Sequence, residues 1–388
     1  MTAATVKYRR GIPVFVFVIC LVLALVLGAV AGFVCSLMAG AGPVKSTADK
    51  IDQKKIDSLH AQIEKYYNGD IREENLVNGA YHGYVKGLND PYSAYMTKEE
   101  FKSDEESYNA EYSGVGITFE KNEQGDYEVV SVSKGSPAGK AGIVPGDYLL
   151  TVDGKTYDEI DVMAANIRGE RGTQVTLEVM HEGDKKEVTM TRDTIHHETV
   201  EYRMLDDQTG YIQITEFIEK SGEDFDRALH AVEDRGAKNL VLDLRNNGGG
   251  LVDECAQVAD EFLDAGVITY IVDKNGKEET CDAKDGKTGL KTAVLVNGYS
   301  ASASEILTGA LQDNGIPVVG EKTFGKGVIQ VTLPQKDGSG LKLTIMEYLT
   351  PKKHRVHKEG VTPDTVIEDD KDTEADEQLD KARELVEK

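Results

Sequence analysis

Apolar residues recur at helical spacing in two early stretches, Ile51, Ile56, Leu59, Ile63 and Tyr66 and then Leu76, Ala80, Tyr84, Val85 and Leu88, which predicts a helical pair or small bundle. The second pattern breaks at Leu88-Asn89-Asp90-Pro91-Tyr92-Ser93, because proline cannot continue a helix and biases its predecessor toward extended geometry. Between about Ser113 and Asp193 the period shortens. Val115 to Phe119, Tyr127 to Val132, Tyr148 to Val152, Val175 to Met180 and Glu187 to Thr191 predict strands separated by glycine turns, with one helical stretch from Ile160 to Ile167. From Gly210 onward strands and helices alternate. Tyr211 to Thr215, Asn239 to Leu244, Ile268 to Val272, Thr292 to Val296, Val318 to Val319, Val328 to Leu333 and Leu341 to Tyr348 read as strands. Helices are expected around Asp224 to Glu233, Val252 to Leu263 and Ile306 to Leu311, so a layered α/β core is predicted. From Glu368 the chain is acidic and then helical at Leu379, Ala382 and Leu385, which predicts a solvated surface helix.

The start of the chain departs from this soluble pattern. No charged residue occurs from Gly11 to Val44, and Val14 to Met38 is almost wholly apolar. At about 1.5 Å per residue that segment can cross a hydrocarbon core of about 30 Å. Lys7, Arg9 and Arg10 precede it, so the short N-terminus is expected in the cytoplasm and everything after residue 44 outside. A cleaved signal peptide ending near Ala39-Gly40-Ala41 is the alternative, although the apolar region is longer than the roughly 7–15 residues of a signal core.

Composition narrows the function. The 388 residues suffice for two or three domains, and a formal net charge of −24 argues against nucleic-acid binding through phosphates. Cys20 and Cys35 lie in the apolar segment, which leaves Cys255 and Cys281 as the candidates for a disulfide. Neither belongs to a CxxC pair or sits beside histidines at ligand spacing, so no metal and no other cofactor is expected.

Chemistry concentrates in Asn297-Gly298-Tyr299-Ser300-Ala301-Ser302-Ala303-Ser304-Glu305-Ile306 and in Thr323-Phe324-Gly325-Lys326-Gly327-Val328-Ile329-Gln330. A strand leads into the first and a helix leads out, which would present a hydroxyl at a helix N-terminus among free N–H groups. A serine hydroxyl needs a base, and lysine can serve only when its amine is neutral, through burial. Lys326, between glycines and ahead of Val328 and Ile329, suits burial, and Gln330 could orient its amine if the segment curls. On pattern alone Ser302 and Glu305 also make the Ser-x-x-Glu of a helix capping box, and Lys326 an ordinary surface lysine. Histidine is the competing base, with His354 and His357 as possible partners. The buried run Val241-Leu242-Asp243-Leu244-Arg245-Asn246-Asn247-Gly248-Gly249-Gly250-Leu251 ends in glycines whose N–H groups could form an oxyanion hole with that of Ala303. It lacks the endings of phosphate- and dinucleotide-binding loops.

The middle region resembles a PDZ domain in its Gly114-Val115-Gly116-Ile117 loop, its Ser136 to Gly142 turn and its Pro145-Gly146-Asp147-Tyr148-Leu149-Leu150 strand entry. Such a loop offers N–H groups to a free C-terminal carboxylate while the peptide adds to the sheet edge. Taken together, Asp-Leu-Arg-Asn-Asn-Gly-Gly-Gly, Ser-Ala-Ser-Ala-Ser-Glu-Ile, Phe-Gly-Lys-Gly and the late Gly360-Val361-Thr362-Pro363-Asp364 resemble the C-terminal processing peptidases, or tail-specific proteases, from about Ile51 to the end. The resemblance implies Ser302 as nucleophile, Lys326 as general base, Gln330 positioning the lysine, Gly249 and Ala303 as oxyanion donors, Asp313 in support, and Arg168 coupling peptide binding to the site. It also implies an α/β fold with a helical region (45–112), a PDZ domain (113–193) and a crotonase-like protease core with an acidic terminal helix (194–388), which follow the transmembrane signal-anchor (1–44) expected from the apolar segment.

The expected partners are protein substrates with free, apolar C-termini, the membrane through one helix, and a second copy of the chain in a homo-oligomer. Two rivals stand beside this reading: a catalytically silent PDZ adaptor tethered to the membrane, and a crotonase-like acyl-transfer enzyme.

Overall fold

The computed structural model describes residues 52–388 apart from 123, 285, 287 and 370–374. The membrane-anchor and signal-peptide readings fall outside the described residues, among which no helix is long and apolar enough to cross a membrane. The chain divides into two units, Met1–Glu73 and Glu74–Lys388. In the first, the helix Gln53–Tyr66 starts where the Asp52 carboxylate accepts the Lys54 N–H. Among the described residues of that unit nothing covers its apolar stripe, with Ile56, Leu59 and Tyr66 all exposed.

The second unit holds two cores. Ile117–Lys121, Tyr127–Val132, Tyr148–Val152, Gln174–His181 and Asp184–Thr191 follow one another across an antiparallel sheet, with Ile117–Lys121 at its edge. Val175, Leu177 and Val179 alternate inward along one strand, as a half-buried strand requires, and pack with Val129, Leu149, Met163 and Ile167. The last two belong to the helix Ile160–Ile167, which falls where its apolar spacing predicts. Two further strands, Glu111–Gly114 and Asp193–His196, pair antiparallel and tie the entry of this domain to its exit.

A six-stranded sheet forms the larger core. It runs in chain order from Val200–Met204 through Thr209–Ile214, Asn239–Asp243, Lys291–Val296 and Val318–Gly320 to Thr365–Val366. Only its first pair is antiparallel. Both faces are covered, so its central strand Asn239–Asp243 is buried at every position and reads as a continuous apolar run. Phe225, Val258 and Leu307 from the helices Ser221–Glu233, Val252–Asp260 and Ala303–Asp313 pack on one face against Ile212, Leu242 and Val294.

The terminal helix Glu377–Glu387 covers the other face, where Ala382 and Val386 are buried against Tyr211, Val241, Ala293, Leu295 and Val319. The expected solvated helix is therefore corrected. A parallel sheet has two apolar faces, and this helix lays its single apolar stripe on the second. Arg245 binds Asp243 on the central strand and Asp376 at the start of that helix, at 2.6 and 2.8 Å.

The strands near 268, 328 and 341 leave the α/β layer for an antiparallel sheet of their own. Gly340–Leu349 pairs along one side with Val328–Pro334 and along the other with Ala94–Met96 and then Gly266–Asp273, outside which lies Glu278–Ala283. Ala94–Met96 enters through the predicted break. The Asp90 carboxylate accepts the Ser93 hydroxyl and Tyr92 N–H, and Ser93 Oγ accepts the Thr344 N–H at 3.0 Å.

Candidate active site

Three serines stand between the strand Lys291–Val296 and the helix Ala303–Asp313, and their surroundings separate them. Ser300 is fully buried, its hydroxyl donating to the Leu244 carbonyl at 2.8 Å and accepting the Asn297 N–H. Ser304 is fully buried too and donates to the Asn247 carbonyl at 3.0 Å. Ser302 alone of the three is partly exposed, and it lines a cavity of about 640 Å³. Its backbone is at φ 57° and ψ −118°, a region that costs a residue with a side chain about 1–3 kcal/mol.

Lys326 lines the same cavity. It is half-buried, and its amine faces the Tyr92 ring at 5.2 Å from the centroid. Burial is the main force holding its pKa below the ordinary lysine value; the Lys342 cation acts in the same direction and Glu305 opposes both. Lys342 lines the cavity and is itself paired with Asp104 at 2.6 Å.

Glu305 joins the two loops. It is fully buried, and its Oε2 accepts the N–H groups of Ser302 and Lys326 at 2.9 and 2.8 Å. Oε1 accepts the Thr323 hydroxyl at 2.6 Å and the Gly325 N–H at 2.7 Å. Burial pushes the carboxyl above its ordinary range, against the pull of those bonds. The capping-box reading thus captured one bond of four. Beneath, the Tyr348 phenol lies 2.9 Å from the Ser302 carbonyl and 2.7 Å from that of Lys326, its one proton shared between them.

The glycine loop closes the other wall. A Cβ on Gly249, at φ 102°, would lie 2.7 Å from Ser302 Cβ and 2.9 Å from the Ala303 nitrogen, so only glycine allows this approach. The Gly249 N–H donates to Asn247 Oδ1 at 2.8 Å. Among the described residues the Ala303 N–H has no acceptor. Of the two expected oxyanion donors, Ala303 is free in this structure and Gly249 is engaged.

Comparison with known proteins agrees with this architecture. Residues 208–367 match peptidase family S41, residues 113–191 a PDZ domain, and residues 25–100 the activating protease CtpB N-terminal domain. Over 358 residues the chain is 37% identical to the carboxy-terminal processing protease CtpA of Bacillus subtilis (strain 168), covering 91% of this chain and 77% of that one. The chain belongs to the carboxy-terminal processing proteases. It is thus a serine-type peptidase with a PDZ domain. It is also 40% identical over 329 residues to a protein of Staphylococcus aureus (strain MRSA252) described as a CtpA-like serine protease, covering 82% of this chain and 66% of that one. A crystal structure of a Bacteroides fragilis protein assigned to the S41 proteases shares the fold, with a TM-score of 0.50 at 16% identity over 84% of this chain and 91% of that one.

Other residues singled out in this processing protease fall at varied distances from Ser302. Gln330 lines the cavity, at a bulge in its strand, and its side-chain nitrogen donates to Thr344 Oγ1 at 3.1 Å. Asp313 ends the helix that Ser302 begins, a span of about 16 Å at 1.5 Å per residue. There it accepts the Lys352 N–H at 2.7 Å. Arg168 follows the helix Ile160–Ile167, its guanidinium 5.4 Å from the Tyr112 ring centroid and its stem beside Gly114.

In the loop itself, Val115 is buried, Gly116 has φ 78°, and Ile117 opens the edge strand. His354 is exposed and does not line the cavity, while His357 packs its backbone against Gly327. Cys255 and Cys281 are both free thiols; that of Cys255 donates to the Ala303 carbonyl. Among the described residues no cluster could hold a metal ion. Tyr92, Tyr348 and Lys342 escaped the sequence reading, although the proline-marked break carried a signal for the first.

Proposed function

We propose that this chain is a membrane-anchored serine endopeptidase that holds the C-terminal tail of a protein substrate in its PDZ domain and cleaves upstream of it, with Ser302 and Lys326 as a dyad. One observation carries the reading. A strained, partly exposed serine at a buried helix N-terminus shares a cavity with a lysine whose surroundings favour the neutral amine.

In this mechanism Lys326 Nζ takes the hydroxyl proton as Ser302 Oγ attacks the scissile carbonyl carbon. The Ala303 N–H donates to the resulting oxyanion, and Gly249 contributes a second bond once its amide leaves Asn247. The C–N bond breaks as the lysine ammonium protonates the leaving amine. Water then attacks the acyl-enzyme with Lys326 again as base and releases Ser302. Gln330 limits the lysine's orientations from the adjoining strand. The PDZ loop Gly114, Val115, Gly116 and Ile117 receives the tail's carboxylate, and the free edge of Ile117–Lys121 receives its backbone. Arg168, beside that loop, relays tail binding to the protease core. The uncharged segment from Gly11 to Val44 anchors the chain, with catalysis outside the cytoplasm.

The test uses an unstructured peptide with an apolar, free C-terminus. Ser302→Ala and Lys326→Ala are expected to lower kcat by at least about 1000-fold while each variant still unfolds in one cooperative melt, and amidating the peptide's C-terminus to lower kcat/KM. Wild-type turnover by either variant would overturn the dyad. Anchoring predicts that carbonate-washed membranes retain the full chain; its release into the wash would overturn that part.

A further inference from the structure

The cavity that Lys326 lines carries a charge that the dyad does not use. Glu216 lines the cavity and is half-buried. Among the described residues its carboxylate accepts no hydrogen bond and has no cationic partner within 4 Å. The other charges of this cavity are committed: Lys342 and Asp104 pair with each other, and Lys326 serves Ser302 only when neutral. Burial raises the Glu216 pKa above its ordinary value, and nearby His197 opposes this.

The backbone around Glu216 is held to the glycine loop beside Ser302. Phe217, fully buried, donates its N–H to the Gly249 carbonyl at 2.9 Å and accepts the Leu251 N–H at 2.7 Å. Ser221 Oγ donates to the Glu216 carbonyl at 3.3 Å. The backbone that carries Glu216 is therefore fixed relative to the loop beside Ser302. Leu251 and Val252 line the same cavity and offer apolar contact.

An unpaired carboxylate that a substrate covers with an apolar side chain loses water without recompense. An ammonium or guanidinium at the same place makes a charge-assisted hydrogen bond, and its methylene stem can lie on Leu251 and Val252. We propose that Glu216 determines specificity: it receives a lysine or arginine side chain of the polypeptide substrate close to the scissile bond. The proposal rests on the reading of Ser302 as nucleophile and adds a preference that a PDZ domain holding an apolar tail does not supply.

Paired peptides with a common apolar, free C-terminus decide it, each pair differing by lysine or norleucine at one position near the scissile bond, scanned position by position. The wild-type chain is expected to favour lysine by about 10-fold or more in kcat/KM at one position, and Glu216→Gln to reduce that ratio to within about 2-fold while still cleaving the norleucine peptide. No lysine preference at any position, or one that survives Glu216→Gln, would overturn the proposal. If Glu216→Gln melts early and cleaves neither peptide, Glu216→Ala reads the same ratio. Cleavage by Ser302→Ala would instead sink the nucleophile assignment, so the two failures are distinct.

Discussion

In the proposed dyad Lys326 must be without its extra proton to accept one from Ser302, so its surroundings would set the pH at which the peptidase works. Burial and the Lys342 cation both lower its pKa. Activity should therefore rise with pH as the amine deprotonates, with a midpoint below the ordinary 10.5. Lys342→Met removes the like charge and should move that midpoint upward, seen as an alkaline shift of the kcat/KM profile with little change at its plateau. Stability follows the same sign. The unfolded chain binds this proton more tightly than the native one, so the penalty of a buried ammonium is relieved as pH climbs from the folded pKa toward the unfolded value. Urea midpoints of wild type and Lys326→Met should accordingly converge with rising pH.

Between elements, Glu305 holds the lysine loop to the helix that Ser302 begins, and a carboxylate is the only side chain suited to its four donors. An amide of the same shape has one acceptor oxygen and one NH₂ group. Glu305→Gln must leave at least one buried N–H, of Gly325 or of Ser302 and Lys326, without an acceptor. The expected costs are about 1–3 kcal/mol in denaturant stability and a fall in kcat that exceeds any change in KM. Each of the two strands of reasoning that met at this residue was partial in the sequence. Spacing marked Glu305 as a cap, which it is toward Ser302, but its bonds to Thr323, Gly325 and Lys326 join segments far apart in the chain and leave no periodic trace.

For the molecule as a whole, legibility followed burial. The strands Tyr127–Val132, Tyr148–Val152 and the helix Ile160–Ile167 lie where their apolar spacing puts them. Glu278–Ala283 escaped because an exposed edge strand of Glu, Thr and Asp shows no alternation, and Val200–Met204 because two of its three central side chains are charged. Ala94–Met96 is too short to have a period, and only its partner Gly340–Leu349 makes it a strand. The choice of Ser302 over its neighbours was likewise illegible, since it depends on which hydroxyls meet buried carbonyls. The PDZ region has a core separate from that of the protease sheet, with its entry and exit strands paired. Residues 111–196 alone should therefore fold, giving one cooperative melt; a broad, non-cooperative transition would show that it depends on the protease core.

The lysine loop also leans on the late glycine motif. Val361 N–H donates to Thr323 Oγ1 at 2.7 Å, Thr323 N–H returns a bond to the Val361 carbonyl, and Lys358 N–H reaches the Gly325 carbonyl. A ribosome delivers the chain from its N-terminus, and the large sheet adds its strands in that same order from one edge to the other. The PDZ region is thus whole while the support for Lys326 has yet to be synthesised. Under the function proposed above, a nascent chain could hold a tail before it could cut one, because the bonds that brace Lys326 wait for Val361.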